Sequence, residues 1–247
     1  MRIDSHHHLT PDYSASLLWP ILKRNRVEAS VLVSQAGTVE ETRWLLEQAA
    51  HHDYIRAVVG WADSESPDLG RLLDEYQRHP KFRGLRLPAA DALPAGLAEV
   101  ERRGLTLDID PRLDFPPRIL DRHPGLKIVI DHLGRPALAP FEEWARALED
   151  TARDPRVFAK ISGLITGIPG RWKAEQFQPY ARHVLRAFGP HRVMFGSDWP
   201  SYLPEGTWKE AMAAFTQAIG AQTLETREHL LGATAARFYR IDTGASA

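Results

Sequence analysis

Eight short apolar runs recur along this 247-residue chain, separated by amphipathic stretches of helical length. The runs are 2–8, 29–35, 55–63, 82–88, 105–110, 127–134, 157–163 and 192–199. A parallel strand buried on both faces reads as a continuous apolar run, and its polar residues gather where it emerges. The clearest helix is 38–52, with Thr38 as N-cap, Glu41 three residues on, then Trp44, Leu45, Leu46 and Ala49. Others fall near 66–79, 93–103, 115–123, 140–153 and 173–188, with two more after Trp208. Eight strands each followed by a helix is the count of a closed (β/α)8 TIM barrel. No repeat, charge block or low-complexity linker interrupts this order, so 1–240 reads as one domain and 241–247 as a frayed tail. An open doubly wound sheet is the rival fold. It gives the first and last strands no reason both to carry site residues, and the dinucleotide-type glycine pattern is missing from the first turn.

Chemistry gathers at the strand ends. Strand 1 closes on an H-x-H pair, and alternation points His6 and His8 the same way and His7 the other. Set in R-I-D-S-H-H-H-L, with no run of six and no linker, these histidines are not a purification tag. The later ends offer Gln35, Trp61 and Asp63, Arg86, Asp108 and Asp110, His132, Lys160 and Ser162, and Asp198. In this fold such positions read as catalytic. Ester hydrolysis needs a base for water and a hydrogen-bonding group for the carbonyl oxygen. Asp198 is the candidate base, with His132, His6 and His8 to polarise the carbonyl or hold the water. Arg86 and Lys160 are candidates to meet a carboxylate or hydroxyls of the substrate. Asp108 and Asp110 share a face, so at least one lines the mouth, and Trp199 is a candidate pocket wall. The plainer alternatives are Asp198 as a helix cap, His132 as a structural histidine and Lys160 as a partner of a neighbouring carboxylate. His51 and His52 end a helix, where imidazolium suits the dipole.

Composition excludes several partners. A formal charge of -1 gives no reason to expect nucleic acid or an anionic membrane. No apolar run approaches the roughly 20 residues of a membrane helix, and no signal peptide opens the chain. Cysteine is absent, which removes disulfides and thiolate ligands. A cytoplasmic enzyme acting on a small molecule is the default expectation, with oligomeric state open.

I-D-S-H-H-H-L, V-L-V-S-Q followed by E-E-T-R-W-L-L-E, V-V-G-W-A-D, R-G-L-R, I-V-I-D-H-L-G-R-P, K-I-S-G-L and V-M-F-G-S-D-W-P occur in this order. Together they resemble the amidohydrolase superfamily, and most closely its amidohydrolase 2 branch of sugar-lactone and pyrone-dicarboxylate lactonases. The resemblance implies a (β/α)8 barrel that hydrolyses C–O bonds, with the strand-8 aspartate, Asp198, activating water. Superfamily members with one firmly held metal use the strand-1 pair, a strand-5 histidine and the strand-8 aspartate. Here strand 5 reads L-T-L-D-I-D, and strand 4 carries Arg86 where a metal-bridging Lys or Glu would stand. His6, His8 and Asp198 would be the ligands of a single divalent ion such as zinc, completed by Asp108, Asp110 or water. The resembled lactonases include members that work without metal, so no required cofactor is expected. The alternatives are a metal-dependent non-oxidative decarboxylase and a non-catalytic barrel that binds a partner. The segments after strands 1 and 4 are short compared with such lactonases, which leaves the particular lactone open.

Overall fold

The computed structural model describes residues 1–88, 94–110, 113, 115–136, 139–168 and 171–244. Its strands are β1 (Ile3–His7), β2 (Ala29–Val33), β3 (Ile55–Gly60) and β4 (Phe82–Pro88), then β5 (Thr106–Asp110), β6 (Lys127–Ile130), β7 (Val157–Ile161) and β8 (Val193–Phe195). Each pairs in parallel with the next in chain order. β1 and β8 meet through a parallel bridge between His7 and Trp199, where Asp198 N donates to the His6 carbonyl at 2.8 Å. The sheet therefore curls into a (β/α)8 barrel rather than lying open.

Helices α1 (Ala15–Arg24), α2 (Val39–His51), α3 (Leu69–Gln77), α4 (Leu97–Arg102) and α5 (Phe115–Arg122) alternate with the first strands. They are followed by α6 (Phe141–Ala152), α7 (Gln178–Phe188), α8 (Trp208–Ile219), α9 (Leu224–Glu228) and α10 (Thr234–Tyr239). The apolar runs overshoot the strands, because 127–134 turns at Ile130 and 192–199 at Phe195 to build the mouth. α1 occupies a stretch whose internal Pro20 hides its periodicity, and three helices rather than two follow Thr207. Thr38 caps α2, accepting from Glu41 N at 3.0 Å. The Glu41 carboxylate does not return to Thr38. It collects the backbone N–H groups of Gln35, Ala36 and Gly37 instead, at 2.8, 2.9 and 3.0 Å, and so pins the loop after β2. Within the 241–247 expected as a tail, Ile241 is buried, and 245–247 lie outside the described residues.

Two-residue alternation sorts the strands. Val31, Val33, Val59, Val129, Phe158 and Met194 form one buried cluster together with Phe238 and Tyr239 of α10. The opposite faces pack outward on the helices in a second cluster that includes Leu32, Val58, Leu85, Leu107 and Ile128. Two residues beyond Val129 and Phe158, on the same faces, stand Asp131 and Lys160. The apolar interior thus gives way to a charged layer just below the mouth. Among the described residues, no helix is long and apolar enough to cross a membrane.

Candidate active site

Asp198 sits three residues past β8 with φ 66°, a left-handed conformation that turns its carboxylate back over the barrel. Thr166 Oγ1 donates to its Oδ2 at 2.7 Å. Oδ1 is left facing His8 Nε2 at 3.5 Å and His6 Nε2 at 3.9 Å. Burial works to raise the Asp198 pKa, but the neighbouring His8, His132 and His6 outweigh it and hold the carboxyl well below the usual range. His8 Nδ1 lies 2.7 Å from the Val33 carbonyl. A carbonyl only accepts, so the ring hydrogen is on Nδ1 and the Nε2 lone pair faces the site.

His132 opens a run of four residues with positive φ: 51° at His132, 56° at Leu133, 69° at Gly134 and 46° at Arg135. Non-glycine residues pay about 1–2 kcal/mol each for this conformation. The turn is held by Trp144 Nε1 donating to the Leu133 carbonyl at 2.9 Å. It aims both His132 and Arg135 at one cavity. His132 Nδ1 lies 3.0 Å from Ser162 Oγ, and its Nε2 lies 3.4 Å from Arg86 Nη2. Since guanidinium only donates, His132 Nε2 is the acceptor and Nδ1 carries the hydrogen. Burial pushes the His132 pKa down.

Beneath this surface lies the charged layer. Lys160 Nζ is fully buried, hydrogen-bonded to Asp108 Oδ2 at 2.5 Å and His6 Nδ1 at 3.0 Å and ion-paired with Asp131 Oδ1 at 3.0 Å. Tyr239 OH donates to the same Asp108 oxygen at 2.7 Å. Burial raises the Asp108 pKa to about 6, against the pull of Lys160. Asp131 is held well below the usual range because Lys160, His6 and Arg86 outweigh its burial. Arg86 spends its donors on Asp131 Oδ2 at 3.1 Å, the Ser34 carbonyl at 3.1 Å and Asp110 Oδ2 at 2.9 Å.

The expected residues therefore separate into two groups. His6, His8, His132 and Asp198 converge, with the His6 ring centroid 4.9 Å from that of His8 and 4.7 Å from that of His132. Lys160 and Asp108, candidates above to meet substrate, are sealed below the site, where Lys160 takes the plainer role of pairing with a neighbouring carboxylate. Arg86 is mostly enclosed and tied to the protein's own carboxylates. Asp110 stands nearer the mouth, clasped by Arg135 at 2.7 and 2.6 Å. Trp199 is buried edge-on to Tyr13 and does not line the cavity. Asp131, Arg135 and Thr166 were not singled out from sequence. Asp131 and Arg135 flank His132 within D-H-L-G-R-P, and Thr166 lies in the loop after β7.

The cavity over β6, β7 and β8 has a volume of about 490 Å³, within the size range of small-molecule sites. His132, Ser162, Gly163, Thr166 and Asp198 form its reactive end, and Leu133, Leu164, Ile168, Phe177 and Tyr180 its apolar wall. Gly163 has φ +66°, and a Cβ there would lie 2.9 Å from His132 Nδ1 and 3.2 Å from Asp198 Oδ2. The donors also suit a divalent ion. His6 Nε2 is buried without a hydrogen-bond partner among the described residues, and His6, His132 and Asp198 each bring one ligand atom within 4.8 Å of the others. His132 is engaged by Ser162 and Arg86, so His6, His8, whose Nε2 lone pair lies beside Asp198, and Asp198 are the set that fits zinc.

Comparison with known proteins places this architecture. The chain is 33% identical to an L-fucono-1,5-lactonase of Burkholderia ambifaria over 94% of its length and 86% of that protein. It is 32% identical to an L-fucono-1,5-lactonase of Burkholderia multivorans over its full length and 98% of that protein. The latter alignment spans 298 positions, more than this chain has residues, so that relative carries segments missing here. A crystal structure of an amidohydrolase from Burkholderia multivorans with bound zinc superposes with a TM-score of 0.86 and 31% identity. That match covers 98% of this chain and 100% of the other. The amidohydrolase family model, Amidohydro_2, matches residues 3–241, and the chain belongs to that family.

Proposed function

We propose that this enzyme opens a lactone ring by hydrolysis, with Asp198 as general base, and that its substrate is a sugar-acid lactone or a related carboxylated lactone. The observation that carries the reading is the Asp198 carboxylate, fixed through Oδ2 by Thr166 and presenting Oδ1 to His6 and His8 at the end of a small-molecule cavity. The names of the Burkholderia relatives support the lactone, and nothing in the site favours the decarboxylase or the non-catalytic barrel.

Water bound at Oδ1 gives a proton to Asp198 as its oxygen bonds to the acyl carbon. The carbonyl electrons move to oxygen, where an N–H of His6 stabilises the developing charge. The acyl C–O bond then breaks, the ring oxygen takes a proton from Asp198, and a hydroxy acid leaves. That acid ionises at neutral pH, so turnover releases one proton. Arg135, half-exposed at the cavity edge, is the accessible cation for a substrate carboxylate.

His6, His8 and Asp198 would hold a zinc ion, which when bound supplies Lewis-acid polarisation and a more acidic water. The favoured chemistry does not require it. An ammonium donates and cannot accept, and Lys160 Nζ lies 3.0 Å from His6 Nδ1. Lys160 therefore directs the His6 hydrogen to Nε2, making that ring a donor toward the reacting oxygen. The test is a pH-indicator assay against a panel of sugar lactones before and after dialysis with a strong chelator. Acid release that survives chelation supports the reading. Failure on every lactone, or activity that returns only with added zinc, contradicts it.

A further inference from the structure

A second group of ligand-type side chains lies at the opposite end of the barrel. His191 belongs to the 3-10 turn Pro190–Arg192 that leads into β8, so it marks the face where strands begin, away from Asp198. Glu225 and His229 stand four residues apart on α9 and its π-helical continuation (His229–Ala233), which places them on one helical face. Each of the three offers one ligand atom within 4.8 Å of the others. The two imidazole rings approach to 4.0 Å between centroids at 72°.

None of these three side chains makes a hydrogen bond or ion pair among the described residues, and His229 Nδ1 is buried without a partner. A buried ring nitrogen with no partner is uncommon in folded proteins. Glu225 adds the negative charge. Arg237 opposes it, since its guanidinium donates to the His191 carbonyl.

We propose that His191, Glu225 and His229 form a second divalent transition-metal site, of the two-imidazole, one-carboxylate type that takes zinc, remote from the catalytic pocket. Such a set leaves one tetrahedral position for water. The ion would clip the α9 segment to the turn that feeds β8. It acts on stability, because it binds the folded arrangement in preference to the unfolded chain.

The experiment is a zinc chloride titration of the full chain by calorimetry and thermal melting, with Asp198→Asn/His8→Ala as the background that disables the pocket ligands. In that background one equivalent of zinc binds and the melting temperature rises. Adding His191→Ala lowers the affinity by at least about 100-fold, since loss of an outer partner alone costs about 10–100-fold. His191→Ala in the otherwise native chain leaves lactone turnover unchanged, which shows that it folds. Crystals soaked in zinc give an anomalous peak joined to His191 and His229. Zinc stoichiometry unaffected by His191→Ala, or an anomalous peak confined to the His6, His8 and Asp198 pocket, overturns the proposal.

Discussion

Lys160 Nζ lies 3.0 Å from His6 Nδ1, with both side chains fully shielded from solvent. A competing acceptor, Asp131 Oδ1, stands 3.3 Å from the same nitrogen. One proton separates two enzymes. With hydrogen on Nδ1, His6 has a free Nε2 for a metal; with Lys160 donating into Nδ1, His6 becomes a donor to the substrate. The expected tautomer carries hydrogen on Nε2, and long-range 15N–1H spectra of the His6 ring report it directly. A hydrogen found on Nδ1 would point to the metal-dependent form.

Replacing Lys160 by Met tests the same relationship from the other side. Turnover falls, while zinc affinity rises because His6 Nδ1 can now donate to Asp131. Stability drops by about 3–5 kcal/mol, since Asp108 and Asp131 lose a buried counter-charge. Unchanged zinc affinity in a folded Lys160→Met protein, read by calorimetry, would break the link between Lys160 and the His6 tautomer.

Gly163→Ala places a methyl group against both catalytic side chains. The left-handed backbone adds about 1–2 kcal/mol of strain, and displacement of His132 or Asp198 reduces kcat on the order of 10²-fold. Steady-state kinetics with native-like rates would show that neither side chain needs its present position.

Arg135→Gln separates carboxylated from uncharged lactones. For the former KM rises while kcat changes little; for the latter neither moves much. An equal effect on both kinds, measured on matched substrates, would remove Arg135 from substrate binding.

His7 points away from the site, 2.9 Å from Ser30 Oγ, and burial drives its pKa down to about 3. The unfolded chain takes up this proton below about pH 6.5, and the folded chain does not until about 3. The folded-state value is lowered, so its contribution to stability is complete above the unfolded pKa and shrinks as pH falls between the two. The slope is about 1.4 kcal/mol per pH unit. Denaturant midpoints of His7→Gln therefore decline less from pH 6.5 to 4.5 than those of the native chain. Parallel declines would place the acid sensitivity elsewhere.

The barrel was legible because its signals are local. A strand buried on both faces is apolar along its length, and His6, His8, His132 and Asp198 mark where strands emerge. The layer beneath was not. The sequence leaves Lys160 open between a substrate contact and a partner of a neighbouring carboxylate, and Asp108 between mouth and interior, because alternation shows which face a side chain takes, whereas its depth depends on how strands stagger around the barrel. Their sealing partner Tyr239 arrives from α10, 131 residues along the chain from Asp108, with no local pattern to announce it. Asp131 was overshadowed by its neighbour His132. The usable signal was an aspartate and a lysine on the inward faces of adjacent strands, two positions beyond Val129 and Phe158.

The central claim is that Asp198 activates water to open a lactone. It is tested most directly by following acid release from sugar 1,5-lactones by chelator-treated wild-type and Asp198→Asn proteins, with circular dichroism confirming that both are folded. The wild type releases acid, and the asparagine variant, unable to accept the proton, loses about 10²–10⁴-fold in kcat. A folded Asp198→Asn protein that turns over the same lactone at near wild-type rate would contradict the account.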